Sequence, residues 1–361
     1  MSRHHHVWLM IVTIVGFGYW LVAQAAPVTP LANDRPVSLE AGCIPFPGYS
    51  LNGLTHNSRW CQFPQWLLQW GQSGSQPGDL REPWGLDTEL NGNVLEADYQ
   101  NDRIQRFSPR GSFINLFGST GEGQGQFRTP IDVAVDRAGL IYVADQLNCR
   151  IQVFQPNGSY VRSWGVCGSA PGQFFYPLAV AVGPDGSVYV AENNTQRIQR
   201  FTADGQWIGL WGSPGTNPGQ FDTPRDIAVD SHGNIYVVDA ANNRIQKFSA
   251  AGTFIAAFGN TGPVSDRLDG PFAIDVDSLG NVYVADSHHW LIRRYTTNGQ
   301  LLASWGGFGE DNGKFFNPTA VTVTADGRGV YTGDNYLGRI QLFVYGNKPG
   351  LGRPWDSLHI W

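Results

Sequence analysis

Strong charge of either sign is missing from this sequence: 24 Lys and Arg face 30 Asp and Glu, charged residues make up only 15% of the chain, and the formal net charge is -6. That faintly acidic balance removes any general attraction to phosphate backbones or anionic lipid. Nucleic acid is thus a disfavoured partner, with Arg293-Arg294 as a local basic exception. Cysteine is scarce as well; none of the four is spaced C-x-x-C, which excludes a thiolate metal knuckle. Neither G-x-S-x-G nor H-E-x-x-H occurs, so two common hydrolase signatures are absent. What is plentiful is 45 Gly and 22 Pro, which break long helices and exclude an all-helical fold. With 13 Trp, 13 Tyr and 20 Phe in a chain that is 42% hydrophobic, global disorder is excluded too.

Residues 1–25 read as an export signal, with Arg3 ahead of an uncharged stretch from Val7 to Ala23 and a small-x-small site at Ala23-Gln24-Ala25. The competing reading is an uncleaved anchor over residues 7–23, with Trp8, Tyr19 and Trp20 near its ends. Both put the remaining chain outside the cytoplasm, in a secreted or periplasmic setting, and only the anchor brings a membrane into play. An N-terminal extension then runs over 26–64, and a C-terminal tail over 347–361.

Between them the sequence repeats. Pro83, Pro130, Pro177, Pro224, Pro271 and Pro318 each stand 47 residues apart, and Phe107, Phe154, Phe201, Phe248 and Tyr295 keep the same period. One unit, 224–259, holds four short runs of strand composition divided by Ser-His-Gly, Asp-Ala-Ala-Asn-Asn and Ser-Ala-Ala-Gly turns. Six such units predict an all-β, six-bladed β-propeller of four-stranded antiparallel blades over 65–346. Each unit ends in an aromatic-Gly pair, from Phe117-Gly118 to Trp305-Gly306, but the sixth has none. The missing pair is Trp70-Gly71, 47 residues before Phe117-Gly118, so an N-terminal strand over 65–70 is expected to complete the last blade.

The unit P-x-D-[IV]-A-V-D-x-x-G-x-[IV]-Y-V-[AV]-D-x-x-N-x-R-I-Q-x-F, nearly intact at 130–158 and 224–252, resembles the NHL repeat. That resemblance implies a six-bladed propeller. It implies no single function, since the family is similar across RNA-binding regulators, a peptide-amidating lyase and extracellular sensor domains.

Function is sought where the pattern fails. Asp-x-x-Asn-x-Arg recurs in several blades (Asp98, Asn101 and Arg103 among them) and so reads as structural. Asp87 and Asp275 replace a small residue four positions after the Pro, and Asp132 and Asp226 stand two positions after it. These four carboxylates near the channel would suit a hard cation such as calcium, or simply accept backbone N–H bonds. A second set is Trp84, Arg225 and Phe272, one after the Pro, with His288, His289 and Trp290, where blade five departs from the motif, and Tyr336 in the blade-six turn. Aromatics with an Arg suit a protein, peptide or glycan ligand, or pack against residues 27–64.

The reading is a non-catalytic recognition module that binds through one face of the ring. The alternative is a calcium-type, lactonase-like hydrolase or lyase using the channel carboxylates. The zinc chemistry of the amidating lyase needs several converging His, whereas the repeats hold only His232, His288 and His289. Topology brings Cys149, at the start of a third strand, beside Cys167, at the end of a fourth, so these two are predicted to form a disulfide. Cys43 and Cys61 are then paired by elimination in the extension.

Overall fold

Every 47 residues the chain lays down the same antiparallel sheet. The computed structural model describes residues 63–345; the leader or anchor, most of the extension with Cys43 and Cys61, and the tail lie outside the described residues. The innermost strands are Pro83–Thr88, Pro130–Val135, Pro177–Val182, Pro224–Val229, Pro271–Val276 and Pro318–Val323. Blade two shows the plan. Pro130–Val135 pairs with Ile141–Asp145, that strand with Arg150–Phe154, and the last with Tyr160–Trp164. Proline fits the first position of each inner strand because its missing N–H leaves no ladder bond unmade there.

Closure follows the expected route. Gln65–Trp70 pairs antiparallel with Arg339–Val344, Gln65 opposite Val344 and Trp70 opposite Ile340, and supplies the fourth strand of the sixth sheet. The Trp70 ring lies 5.9 Å from both Phe107 of blade one and Tyr331 of blade six. Gly111 of blade one sits under this indole, where a Cβ would approach its ring atoms to 2.5 Å.

Each apolar cluster spans two neighbouring sheets, as Leu86, Val94 and Phe107 do with Ala320, Tyr331 and Ile340. No blade has a core of its own, which is why the ring is the unit of stability. Cationic side chains add a second tie: Arg162 reaches Ala203 O at 2.8 Å, Arg200 reaches Ala250 O at 3.1 Å, and Arg106 reaches Pro156 O, each in the next blade. This corrects the expected basic patch. Arg293 is 1% exposed, and Arg294 lies 4.8 Å over the Tyr345 ring.

The Asp-x-x-Asn-x-Arg motif is structural. The Asp98 carboxylate accepts from Arg103 Nε at 2.7 Å and from Arg81 N at 2.7 Å, while Arg103 donates to the carbonyls of Ser75, Gln76 and Asp79. It thereby ties the loop entering the blade to the turn between the second and third strands. Those loops and turns form one face, called here the loop face; the hairpins between first and second and between third and fourth strands form the other. Because Gln65 lies opposite Val344, at the hairpin end, the ring is entered and left on the hairpin face.

One blade carries an unpartnered acid. Glu96 is fully buried with no hydrogen bond to either oxygen, at the register position that Val143, Val190, Val237 and Val284 fill elsewhere. Burial pushes its carboxyl well above the usual Glu range. The folded chain keeps this proton and unfolding releases it, so stability falls as pH rises above the ordinary Glu pKa. Glu96→Val should therefore raise the melting temperature, by on the order of 1–3 kcal/mol of stability, and by more at pH 8 than at pH 5. Equal gains at the two pH values in thermal melts would contradict the assignment.

Candidate functional site: the loop face and the axial cavity

The inner strands surround an axial cavity of about 130 Å³ lined by all four singled-out aspartates together with Trp84, Arg225 and Phe272. The carboxylates act as staples between blades. Asp87 accepts from Thr88 N at 2.6 Å and from Val135 N of blade two at 2.7 Å. Asp132 accepts from Val180 N of blade three at 2.8 Å. Asp226 bonds Ile227 N and Ile274 N, both at 2.7 Å, and Asp275 bonds Val276 N and Val323 N at 2.7 Å and the Thr322 hydroxyl at 3.1 Å. These two uses follow from position. An Asp two residues after the Pro reaches the third residue after the next blade's Pro, and an Asp four after reaches the fifth.

These bonds change what the four can do. Among the described residues no three His, Cys, Asp or Glu side chains come together to hold a metal ion. The aspartates line one cavity, yet their oxygens are turned to the backbone, so the expected calcium set is not assembled as a ligand cluster.

Desolvation dominates their acidity. Burial, then the Asp275 carboxylate, pushes Asp87 up to about 8; burial raises Asp226 to about 7 and Asp275 to about 6. Asp132 is held well above the usual range by burial and by Asp226. By area all four are partly exposed. That area faces the narrow cavity, not bulk water, so the desolvation is real.

At the loop-face end Trp84 stacks on Tyr99 at 5.1 Å and meets Phe272 edge-on at 5.0 Å, while the Arg225 guanidinium lies 4.2 Å over Phe272. Three positions spread over 188 residues of sequence thus meet at one mouth. Tyr99 was not foreseen, because a Tyr in a turn carries no pattern of its own.

Blade five is less altered than its sequence suggests. His289 Nδ1 lies 2.9 Å from Asp286 Oδ2, in the place of the motif's Asn. Arg293 supplies the guanidinium instead, at 2.5 Å to the same oxygen, and donates to Ser265 O at 3.0 Å. Both residues are therefore spoken for. His288 is exposed, 3.2 Å from Asp269.

Trp290 takes the left-handed position, φ 56°, that Asp102, Cys149, Gln196 and Asn243 take in other blades. It contacts Phe308 at 5.1 Å; Phe308 meets Phe316 at 5.0 Å, and Phe316 meets Tyr336 at 5.8 Å. The four are 38%, 58%, 38% and 70% exposed, an unbroken aromatic ladder on the loop face. Phe308 and Phe316 went unnoticed in the sequence, although they replace Thr261 and Asp269 one period earlier. The Trp290–Phe308 contact also has structural counterparts. At the same two positions blade one places an Asp102–Thr120 hydrogen bond of 2.7 Å, and blade two the Cys149–Cys167 disulfide, as expected.

The family model of the NHL repeat matches residues 127–154, 174–201 and 221–248, which lie in blades two, three and four. Three blades of this six-bladed propeller are thus NHL repeats. A stretch of 49 residues, 14% of this chain and 4% of the relative, is 41% identical to protein lin-41 from Caenorhabditis elegans. The match thus spans only a small part of that relative's length. Among solved structures the fold is similar to virginiamycin B lyase from Staphylococcus aureus, with a TM-score of 0.53 at 14% identity over 77% of this chain and 98% of that one. A structural genomics protein of unknown function from Bacteroides thetaiotaomicron gives 0.57 at 18% over 77% and 76%. At such identities the likeness is one of fold alone.

In this propeller the raised acidities have a sign. Each carboxyl keeps its proton in the folded ring to a higher pH than in the unfolded chain, so each costs stability as pH rises from about 4 towards the folded values of about 6 to 8. Asp87→Asn with Asp275→Asn should flatten the fall in melting temperature between pH 5 and pH 8. Parallel pH profiles for the parent and the double variant would show that the acids titrate normally.

Proposed function

We propose that this protein is an extracytoplasmic, non-catalytic recognition module that binds a protein, peptide or glycan through its loop face. The observation that carries this reading is the aromatic ladder Trp290, Phe308, Phe316 and Tyr336. Four contiguous large rings left in water are a cost that a closed propeller has no internal need to bear, and rings of this kind supply rigid contact area at low entropy cost. Uncharged amides stand beside them, with Asn317 Nδ2 donating to Asn335 Oδ1 at 2.8 Å. Rings flanked by amides suit a ligand with apolar faces and hydroxyl or amide edges. The disulfide supports an oxidising compartment. The hydrolase or lyase alternative draws no support from the cavity, because its carboxylate oxygens are engaged by backbone.

Peptide and glycan arrays probed with the chain, with calcium and then with chelator, test the proposal. Phe308→Ala with Tyr336→Ala should weaken capture of the retained ligand about tenfold or more while shifting the melting temperature little, since both rings are largely exposed. An undiminished affinity in the double variant, or two blank arrays, would reject the loop face as the binding surface.

A further inference from the structure

The fully buried guanidiniums of the blades have acceptors: Arg103 bonds Asp98 and three carbonyls, and Arg197 and Arg244, with the half-buried Arg150, repeat the arrangement. Arg225 breaks that rule. It is the one charge among the residues that follow the six prolines, the others being Trp84, Ile131, Leu178, Phe272 and Thr319. No hydrogen bond or ion pair joins it to a described residue; its contact is the face of Phe272 at 4.2 Å. The neighbouring carboxylate does not serve it, because both oxygens of Asp226 accept backbone N–H groups. Burial lowers the Arg225 pKa, with no carboxylate offsetting the effect. A partly desolvated guanidinium without an anion is a standing cost, and its planar fork of donors matches the two oxygens of a carboxylate.

We propose that the loop-face mouth of the axial cavity binds a carboxylate, anchored by Arg225, with Trp84 and Phe272 walling the apolar group that carries it. The site is independent of the aromatic ladder. The cavity carboxyls beneath the mouth would repel an anion if charged; burial holds Asp132 well above its usual range and keeps Asp87 and Asp226 substantially protonated at pH 6, while Asp275, at about 6, is half charged there and opposes the anion. The carboxylate has two sources with the same chemistry: a free aromatic acid, or the C-terminus of a peptide.

Titration calorimetry of the full chain at pH 6 separates them. The probes are benzoate and N-acetyl-phenylalanine, each against its carboxamide, with inorganic phosphate as a further arm. At least one acid should bind, its amide should bind at least about tenfold more weakly, and Arg225→Gln should cost the acid a similar factor. The tighter acid names the source. Arg225→Lys should retain part of the affinity, and Phe308→Ala with Tyr336→Ala all of it, so failure of the ladder leaves this site standing. Amides that bind as well as acids, no binding by either acid, full affinity in Arg225→Gln, or phosphate binding more tightly than both acids would each overturn the proposal. If Arg225→Gln melts below the parent, the comparison of acid with amide on the parent decides.

Discussion

The pairing of Gln65–Trp70 with Arg339–Val344 is the contact on which the rest depends. Each blade buries its apolar faces only against its neighbours, so an open array would leave two faces in water. Joining the ends of the repeat region removes both at once, and of the ring's strand pairings this one spans the longest stretch of chain and so carries the largest closure entropy. Trp70 shows the economy of the joint: one indole fills the space between first and last blades above a glycine with no side chain to obstruct it.

Around that closure the ring is held by polar bonds at three levels. On the loop face the Asp–Arg pairs gather the entering loops; at the hairpin end Arg and Lys reach carbonyls of the next blade; at the axis aspartates bond the next blade's backbone. The axial staples are the unusual ones. A carboxylate in a narrow cavity is costly to charge, and Asp87, Asp132, Asp226 and Asp275 accept this because their oxygens satisfy backbone N–H groups of the adjoining inner strands. The result is a stiff platform whose entry and exit points lie on the hairpin face, leaving the loop face to carry variation.

That variation is visible as substitution at fixed geometric positions. The same left-handed turn residue and the same loop residue are joined by a hydrogen bond in blade one, by a disulfide in blade two and by two rings in blade five. No hydrogen bond, disulfide or ring contact joins the equivalent pairs Gln196–Pro214 and Asn243–Thr261 of blades three and four, so the scaffold admits a join at this place without needing one. Blade five extends the join across Phe316 to Tyr336, and the proposed binding surface rests on that surplus over structural need.

The 47-residue period, the aromatic-Gly pairs and the stray Trp70-Gly71 were enough to fix the number of sheets, the route of closure and the Cys149–Cys167 bond, because each follows from repetition and strand direction alone. The site was legible only in part. Trp84, Arg225 and Phe272 stood out as departures from their column, whereas Phe308, Phe316 and Tyr99 did not, and blade five's departure from the motif is made good by His289 in the Asn's own place and by Arg293 two positions beyond the Arg's. Sequence order records which residue occupies a column but not which atoms that residue can reach. Whether a carboxylate faces a ligand or a neighbouring backbone N–H, and whether an Arg finds an acceptor, is settled by distances across blades, and those exist only once the ring has closed.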